Sequence, residues 1–138
     1  MELLMLGLNH KTAPVDVRER FSIPKAAVKN GLANLGTYEG ILEAVVLSTC
    51  NRSEMYAVVD DAERDLATLK QFLFDLTGNE EDIDEYLYHY ADEACIDHLF
   101  RVASRQQLAP VDIAMQMNET LTENNDSGMF VTLFIGKN

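Results

Sequence analysis

The sequence predicts an α+β domain of the split β-α-β, ferredoxin-like class, with a four-stranded antiparallel sheet and extra helices packed on it. Three observations carry that expectation. The chain has 138 residues, which is one domain's worth. Hydrophobic residues make up 47% of it, enough to bury an ordinary core. Its apolar periodicity alternates between strand-like and helix-like stretches in the order β-α-β-β-α-β-α, and the first six match the split arrangement.

The first stretch, "ELLMLGLN", reads as a buried strand ending at Asn9. "HKTAPV" is a loop, because Pro14 has no N–H to give a ladder. Asp16 and Ser22 are candidate caps for short helices. "SIPKAAVKNGLANLG" reads as a helix from Pro24 in its first turn to Gly36 at its end, with Ala27, Val28, Leu32 and Leu35 at helical spacing. "GILEAVVLST" is a strand that stops at "CNR", and "SEMYAVVD" is the next, with Met55, Ala57 and Val59 alternating. "AERDLATLKQFLFDLTG" is an amphipathic helix with Leu66, Leu69, Phe72, Leu73 and Leu76 on one side and Gly78 after it. "EYLYHY" is the fourth strand. "ADEACIDHLFRVASR" is a helix whose expected core stripe is Ile96, Leu99, Phe100 and Ala103. Residues 105–138 read as a separate tail, with a helix from Pro110 to about Leu121, a turn at "NNDSG" and a strand at "MFVTLFI" that either adds to a sheet edge or stays exposed.

Charge and motif content narrow the function. Residues 1–59 carry six bases and six acids, whereas residues 60–97 carry thirteen acids and two bases. The net charge of −12 therefore sits in one central block, and a broad basic nucleic-acid surface is not encoded. The apolar runs are too short to span a bilayer. Glu2 stands where a signal peptide needs positive charge, so a cytoplasmic protein is expected. Two cysteines make no disulfide framework, and without a CxxC pair the three scattered histidines suggest no zinc site.

Within "VVLSTCNRSEMY", Cys50 stands at a strand end among polar residues, where burial as a small hydrophobe is less natural than for Cys95 on its helix. A thiol becomes a nucleophile when a nearby cation favours the thiolate, and Arg52 is two residues away. An arginine also holds carboxylates in a two-pronged contact. The turn amides, with Thr49 and Asn51, suit an oxyanion or a substrate hydrogen bond. This pattern points to covalent catalysis on a carbonyl compound bearing a carboxylate. Glu54 follows Arg52 at strand spacing, which leaves both a surface ion pair and a catalytic role open. His98 lies about 200° around its helix from Ile96, off the expected stripe and on a face with Cys95 and Val102. His10 falls in the first loop, and His89 reads as a sheet-surface residue.

"GLNHKTAPVDVRERFSIP", "VVLSTCNRSEMYAV" and "HLFRVAS" closely resemble the amino-terminal catalytic domain of glutamyl-tRNA reductase, over residues 3–104. The resemblance implies that Cys50 attacks the ester carbonyl of glutamyl-tRNA to form a thioester. NADPH then reduces the thioester to glutamate-1-semialdehyde, the first committed step of tetrapyrrole synthesis by the five-carbon route. It also implies that Thr49, Asn51 and Arg52 hold the glutamyl group, with Arg52 on its side-chain carboxylate. His98 is implied as a proton donor or an orienting group. Glutamate-1-semialdehyde aminomutase is the partner protein implied.

After Ser104 the chain departs from the expected pattern. Leu108, Ile113, Met115 and Glu119 stand where the family has a Ser, a Glu and two Gln that contact substrate. No GxGxxG is encoded between a strand and a helix, so neither the NADPH-binding domain nor the dimerising domain is expected in this chain. Two readings follow. One is the thiol chemistry of the reductase. The other is a non-catalytic module that binds glutamyl-tRNA or a protein on the same fold, which the acidic block and the replaced contacts favour.

Overall fold

In the computed structural model, residues 1–105, 121–124 and 130–137 are described. The strands are β1 (Glu2–Asn9), β2 (Ile41–Ser48), β3 (Arg52–Val59), β4 (Tyr88–Ala91), β5 (Leu121–Asn124) and β6 (Phe130–Lys137). The helices are α1 (Val15–Arg20), α2 (Lys25–Ala33), α3 (Ala62–Thr77) and α4 (Glu93–Arg105). Single 3₁₀ turns lie at Leu35–Thr37 and Asp84–Tyr86.

All strand pairings are antiparallel, in the order β4-β1-β3-β2-β6-β5. The first four give the expected split β-α-β order. The sheet then continues past four strands, because β6 pairs along the β2 edge from Glu43↔Lys137 to Ser48↔Thr132. The strand expected at "MFVTLFI" thus adds to a sheet edge. The helix expected over 110–121 lies outside the described residues except for Leu121, which begins β5.

A strand with neighbours on both sides and layers on both faces has no polar face to offer. The run Leu3 to Leu8 in β1 meets that condition, and its residues from Leu4 onward are buried. On one face Leu4, Leu6, Leu8, Val46, Met55, Ala57 and Val59 pack against Val17 of α1, Val28 of α2 and Leu69, Phe72, Leu73 and Leu76 of α3. On the other face a smaller core joins Met5, Leu47 and Tyr56 to Cys95 and Val102 of α4. The period of two along β3 sends Met55, Ala57 and Val59 to the larger core and Tyr56 to the smaller.

Local chemistry sets most helix ends. The Asp61 carboxylate accepts from the Arg64 amide at 2.9 Å and caps α3, and Gly78 closes it in the left-handed region at φ 70°. Neither Asp16 nor Ser22 caps a helix. Pro14 and Pro24 hold the positions just before α1 and α2, where a fixed φ near −65° is compatible and no N–H is needed. Pro24 therefore sits one residue ahead of the first turn expected for it. β4 is shorter than expected, since the 3₁₀ turn consumes Glu85 and Tyr86.

Helix α4 is rotated relative to its expected stripe. Ile96 is 40% and Phe100 50% exposed, while Cys95, Val102 and Ala103 are buried and Leu99 is partly buried. His98 shares the buried face. The physical reason is polar rather than apolar: that face meets a buried carboxylate on β3.

Candidate functional site: a thiol turn beside a buried carboxylate

Two pieces of local structure converge at the Arg52 end of β3. The first is the Thr49–Arg52 turn. The Thr49 amide donates to the Arg52 carbonyl at 2.8 Å, and the Thr49 hydroxyl accepts from the amides of Asn51 and Arg52 at 3.1 and 3.2 Å. The His10 amide donates to the Asn51 carbonyl at 2.8 Å, and Arg18 Nη1 to the Cys50 carbonyl at 3.2 Å. Thr49 itself is buried. The turn is thus fixed by its own side chain and by two neighbouring segments, and it presents Cys50 exposed.

This geometry bears on the turn amides, which the sequence suggested could suit an oxyanion or a substrate hydrogen bond. The amides of Thr49, Asn51 and Arg52 are already committed within the turn. It also adds Arg18, which sequence spacing did not single out. Arg18 reaches Cys50 from thirty-two residues earlier, and no local pattern marks it.

The second piece is a polar cluster around Glu54. Residues 52, 54 and 56 alternate onto the α4 face of β3. Glu54 is fully buried. Its Oε1 accepts from the Tyr56 hydroxyl at 2.7 Å. Its Oε2 is met by the Tyr88 hydroxyl and by His98 Nε2, each at 2.5 Å, and by Arg52 Nη1 at 3.4 Å. Facing an ionised carboxylate, His98 carries its proton on Nε2. Asn9 Nδ2 donates to the Tyr88 hydroxyl at 3.1 Å. Gly7 makes room for this cluster: a Cβ there would lie 2.7 Å from Glu54 Cγ and from the Ser53 carbonyl oxygen.

Burial alone would raise the Glu54 pKa. The hydrogen bonds from His98 and Tyr88, the charge of His98 and the bond from Tyr56 together outweigh it, and the carboxyl lies below its ordinary value. The same burial, with Glu54 beside them, pushes the Tyr56 and Tyr88 phenols well above the ordinary range. Both therefore stay neutral and act as donors.

Arg52 is 2% exposed, so the pair it forms with Glu54 is buried, not the surface pair that spacing had left open. Its Nε has no hydrogen-bond partner among the described residues. His98 is 12% exposed at its side chain, with Tyr56, Tyr88 and Tyr90 around its ring at 6.5, 5.4 and 5.1 Å between centroids. No hydrogen bond joins Cys50 to His98 among the described residues. They are linked in steps, through Glu54, Arg52 and the turn. Asn51 lies in the turn and is partly exposed. Cys95 is buried as expected, and burial, then Asp92 and Glu54, push its thiol up to about 11. His89 is exposed on β4. Among the described residues no cluster of three or more His, Cys, Asp or Glu could hold a metal, and no helix is long and apolar enough to cross a membrane.

The residues that spacing missed are Gly7, Asn9, Arg18, Tyr56 and Tyr88. A signal for part of the cluster was present. Arg52, Glu54 and Tyr56 place three polar groups at period two on a strand where Met55, Ala57 and Val59 are apolar and buried.

Comparison with known proteins gives a consistent result. The family described as "Glutamyl-tRNAGlu reductase, N-terminal domain" matches residues 6–133. The chain is 40% identical over 105 residues to glutamyl-tRNA reductase of Prochlorococcus marinus (strain NATL1A), covering 75% of this chain and 24% of that protein. It is 43% identical over 104 residues to that of Bacillus pumilus (strain SAFR-032), covering 75% and 23%. For Stenotrophomonas maltophilia (strain R551-3) the figures are 41% over 132 residues, 94% and 29%. The chain thus spans about a quarter of the length of these relatives. Among solved structures, glutamyl-tRNA reductase from Methanopyrus kandleri matches with a TM-score of 0.51 and 26% identity, over 74% of this chain and 22% of that one. The family match and the Stenotrophomonas alignment both run past Ser104, where the sequence resemblance was placed as ending.

Proposed function

Because the chain belongs to the glutamyl-tRNA reductase family and matches its amino-terminal domain, we propose that it carries out the acyl-transfer step on glutamyl-tRNA, toward tetrapyrrole synthesis. The Cys50 thiolate attacks the ester carbonyl. A carbon–sulfur bond forms, the bond from that carbon to the ribose oxygen breaks, and the tRNA leaves with a proton on its terminal hydroxyl. The product on this chain is a glutamyl thioester. Arg52 receives the γ-carboxylate, Thr49 and Asn51 shape the turn that presents the thiol, and His98 acts through Glu54 as a positioning residue.

The observation that carries this reading is the pairing of an exposed thiol on a pinned turn with a buried guanidinium, two residues away, whose Nε has no partner among the described residues. A tRNA acceptor end needs little basic surface, which fits a neutral first part of the chain.

NADPH is the hydride source the family resemblance implies, and it fits the described residues poorly. The tight strand-to-helix turn at Asp60–Asp61 is acidic, with Asp61, Glu63 and Asp65 at the α3 N-terminus, where a pyrophosphate would need free amides. No step through NADPH is therefore assigned to these residues, and the proposal stops at the thioester. A cytosolic setting and partnership with glutamate-1-semialdehyde aminomutase accompany this reading.

The test is mass spectrometry of the chain after incubation with glutamyl-tRNA and acid quench. A glutamyl adduct is expected on Cys50 and is expected to be absent in Cys50→Ser. Retained tRNA binding without an adduct would favour the second reading, a non-catalytic binding module. The acidic block of residues 60–97 is the observation on its side.

A further inference from the structure

We propose that Tyr88 is a positioning residue that, with His98, saturates the Glu54 carboxylate and so keeps the Arg52 guanidinium free to receive an anionic substrate group. The inference rests on the acyl-transfer reading and deepens it.

A buried arginine beside a buried glutamate normally closes into a short, two-pronged pair, with N–O distances near 2.7–2.9 Å. Here the closest approach is 3.4 Å, through Nη1 alone, and Nε is left without a partner among the described residues. The cause lies on the other side of the carboxylate. Each carboxylate oxygen offers about two lone-pair directions. On Oε2 both are filled at short range, by Tyr88 Oη and His98 Nε2. Arg52 is a third and distant donor to the same atom. Tyr56 holds Oε1 at 2.7 Å and prevents the carboxylate from turning to offer that oxygen instead. Tyr88 is itself braced by Asn9 from the end of β1. The network thus spends the glutamate on phenols and an imidazole. A permanent cation is left under-compensated next to the thiol turn, where a glutamyl γ-carboxylate is proposed to sit.

Tyr88→Phe removes one donor from Oε2 and keeps the ring. Arg52 is then expected to close on Glu54. Two measurements read this. The first is the ¹⁵N–¹H signal of Arg52 Nε in the tRNA-free protein, assigned through its loss in Arg52→Lys. Its shift and solvent exchange are expected to change in Tyr88→Phe as the fork closes. The second is thioester yield on Cys50 against glutamyl-tRNA concentration. The half-saturating concentration is expected to rise about tenfold, the size of a partly lost charged hydrogen bond, with the maximal yield little changed. Adding Glu54→Gln, which removes the counter-charge, is expected to recover most of that loss. A merely structural role for Tyr88 predicts no recovery, because a second buried substitution adds damage.

An unchanged Arg52 signal in Tyr88→Phe overturns the proposal. So does a changed signal with unchanged capture when wild type forms the thioester. If wild type forms no thioester, the acyl-transfer reading falls, and the Arg52 signal alone then decides whether Tyr88 restrains the pair.

Discussion

Glu54 is a carboxylate without solvent access, met by four side-chain donors from three elements. Its charge is tied to the fold, and the direction of its shift gives the sign. A carboxyl held below its ordinary value binds its proton less readily when folded than when unfolded. It contributes stability above the ordinary glutamate range, about 4.3. That contribution is lost as pH falls through this range and on through the lower folded value. Replacing it by Gln removes the charge and leaves its donors poorly matched, at a cost of about 1–3 kcal/mol near neutral pH. The difference between wild type and Glu54→Gln is therefore expected to be level from pH 7 to about 5 and to shrink below that. Urea midpoints of both proteins across this range measure it, and a difference that stays constant down to pH 3 would contradict the assignment.

At the scale of elements, α4 shows where sequence patterning reached its limit. Two stripes fit its period. Ile96, Leu99, Phe100 and Ala103 are the more hydrophobic, while Cys95, His98, Leu99 and Val102 include a thiol and an imidazole. Counting apolar residues selects the first, and the fold uses the second, because burying Glu54 requires a donor from α4. No local pattern conveys that requirement, since Glu54 lies forty-four residues earlier. By contrast the far end of α3 was legible, because Gly78 acts on its own helix. The strands were legible because Leu3–Leu8 and the alternation of Met55, Ala57 and Val59 need only their own neighbours. The stripes also differ in energy. Phe100→Ala is expected to cost less than about 0.5 kcal/mol as a largely exposed change. Val102→Ala is expected to cost about 1–3 kcal/mol for its lost burial and residual cavity. Chemical denaturation of the two variants checks this, and equal costs would count against the rotation of α4.

Over the whole molecule, the negative charge limits how nucleic acid can approach. The thiol turn is touched by the His10 amide and by Arg18, and Lys11 is exposed next to His10. On the acyl-transfer reading these two cations lie beside the turn to meet phosphates, against thirteen acids in residues 60–97. Each phosphate neutralised on a single strand contributes roughly −0.7 to the slope of log K against log salt. The slope for glutamyl-tRNA is therefore expected to be near −1.4. Filter-binding affinities between 50 and 300 mM salt, on the order of the usual working range, measure it. A slope of about −4 or steeper would mean a wider basic contact than this chain carries. The site was legible at this scale only in part. Cys50, Arg52 and His98 stand in recognisable motifs and Glu54 and Tyr56 follow Arg52 at strand spacing, but residues 9 and 88 join them through sheet register.

The strand order has a consequence for biosynthesis. β1 is made before both of its sheet neighbours, and it lies between β3 and β4. One of its partners, residues 52–59, is made some fifty residues later, and the other, residues 88–91, later still. Loop closure over such spans is slow compared with forming a local hairpin. The β2–β3 hairpin needs only the turn at its own tip. The nascent chain is thus expected to shape the Thr49–Arg52 turn before β1 has a place. Until residue 59 has emerged, Leu3, Leu4, Met5 and Leu6 form an unpaired apolar segment, which is the kind of surface a ribosome-bound chaperone shields.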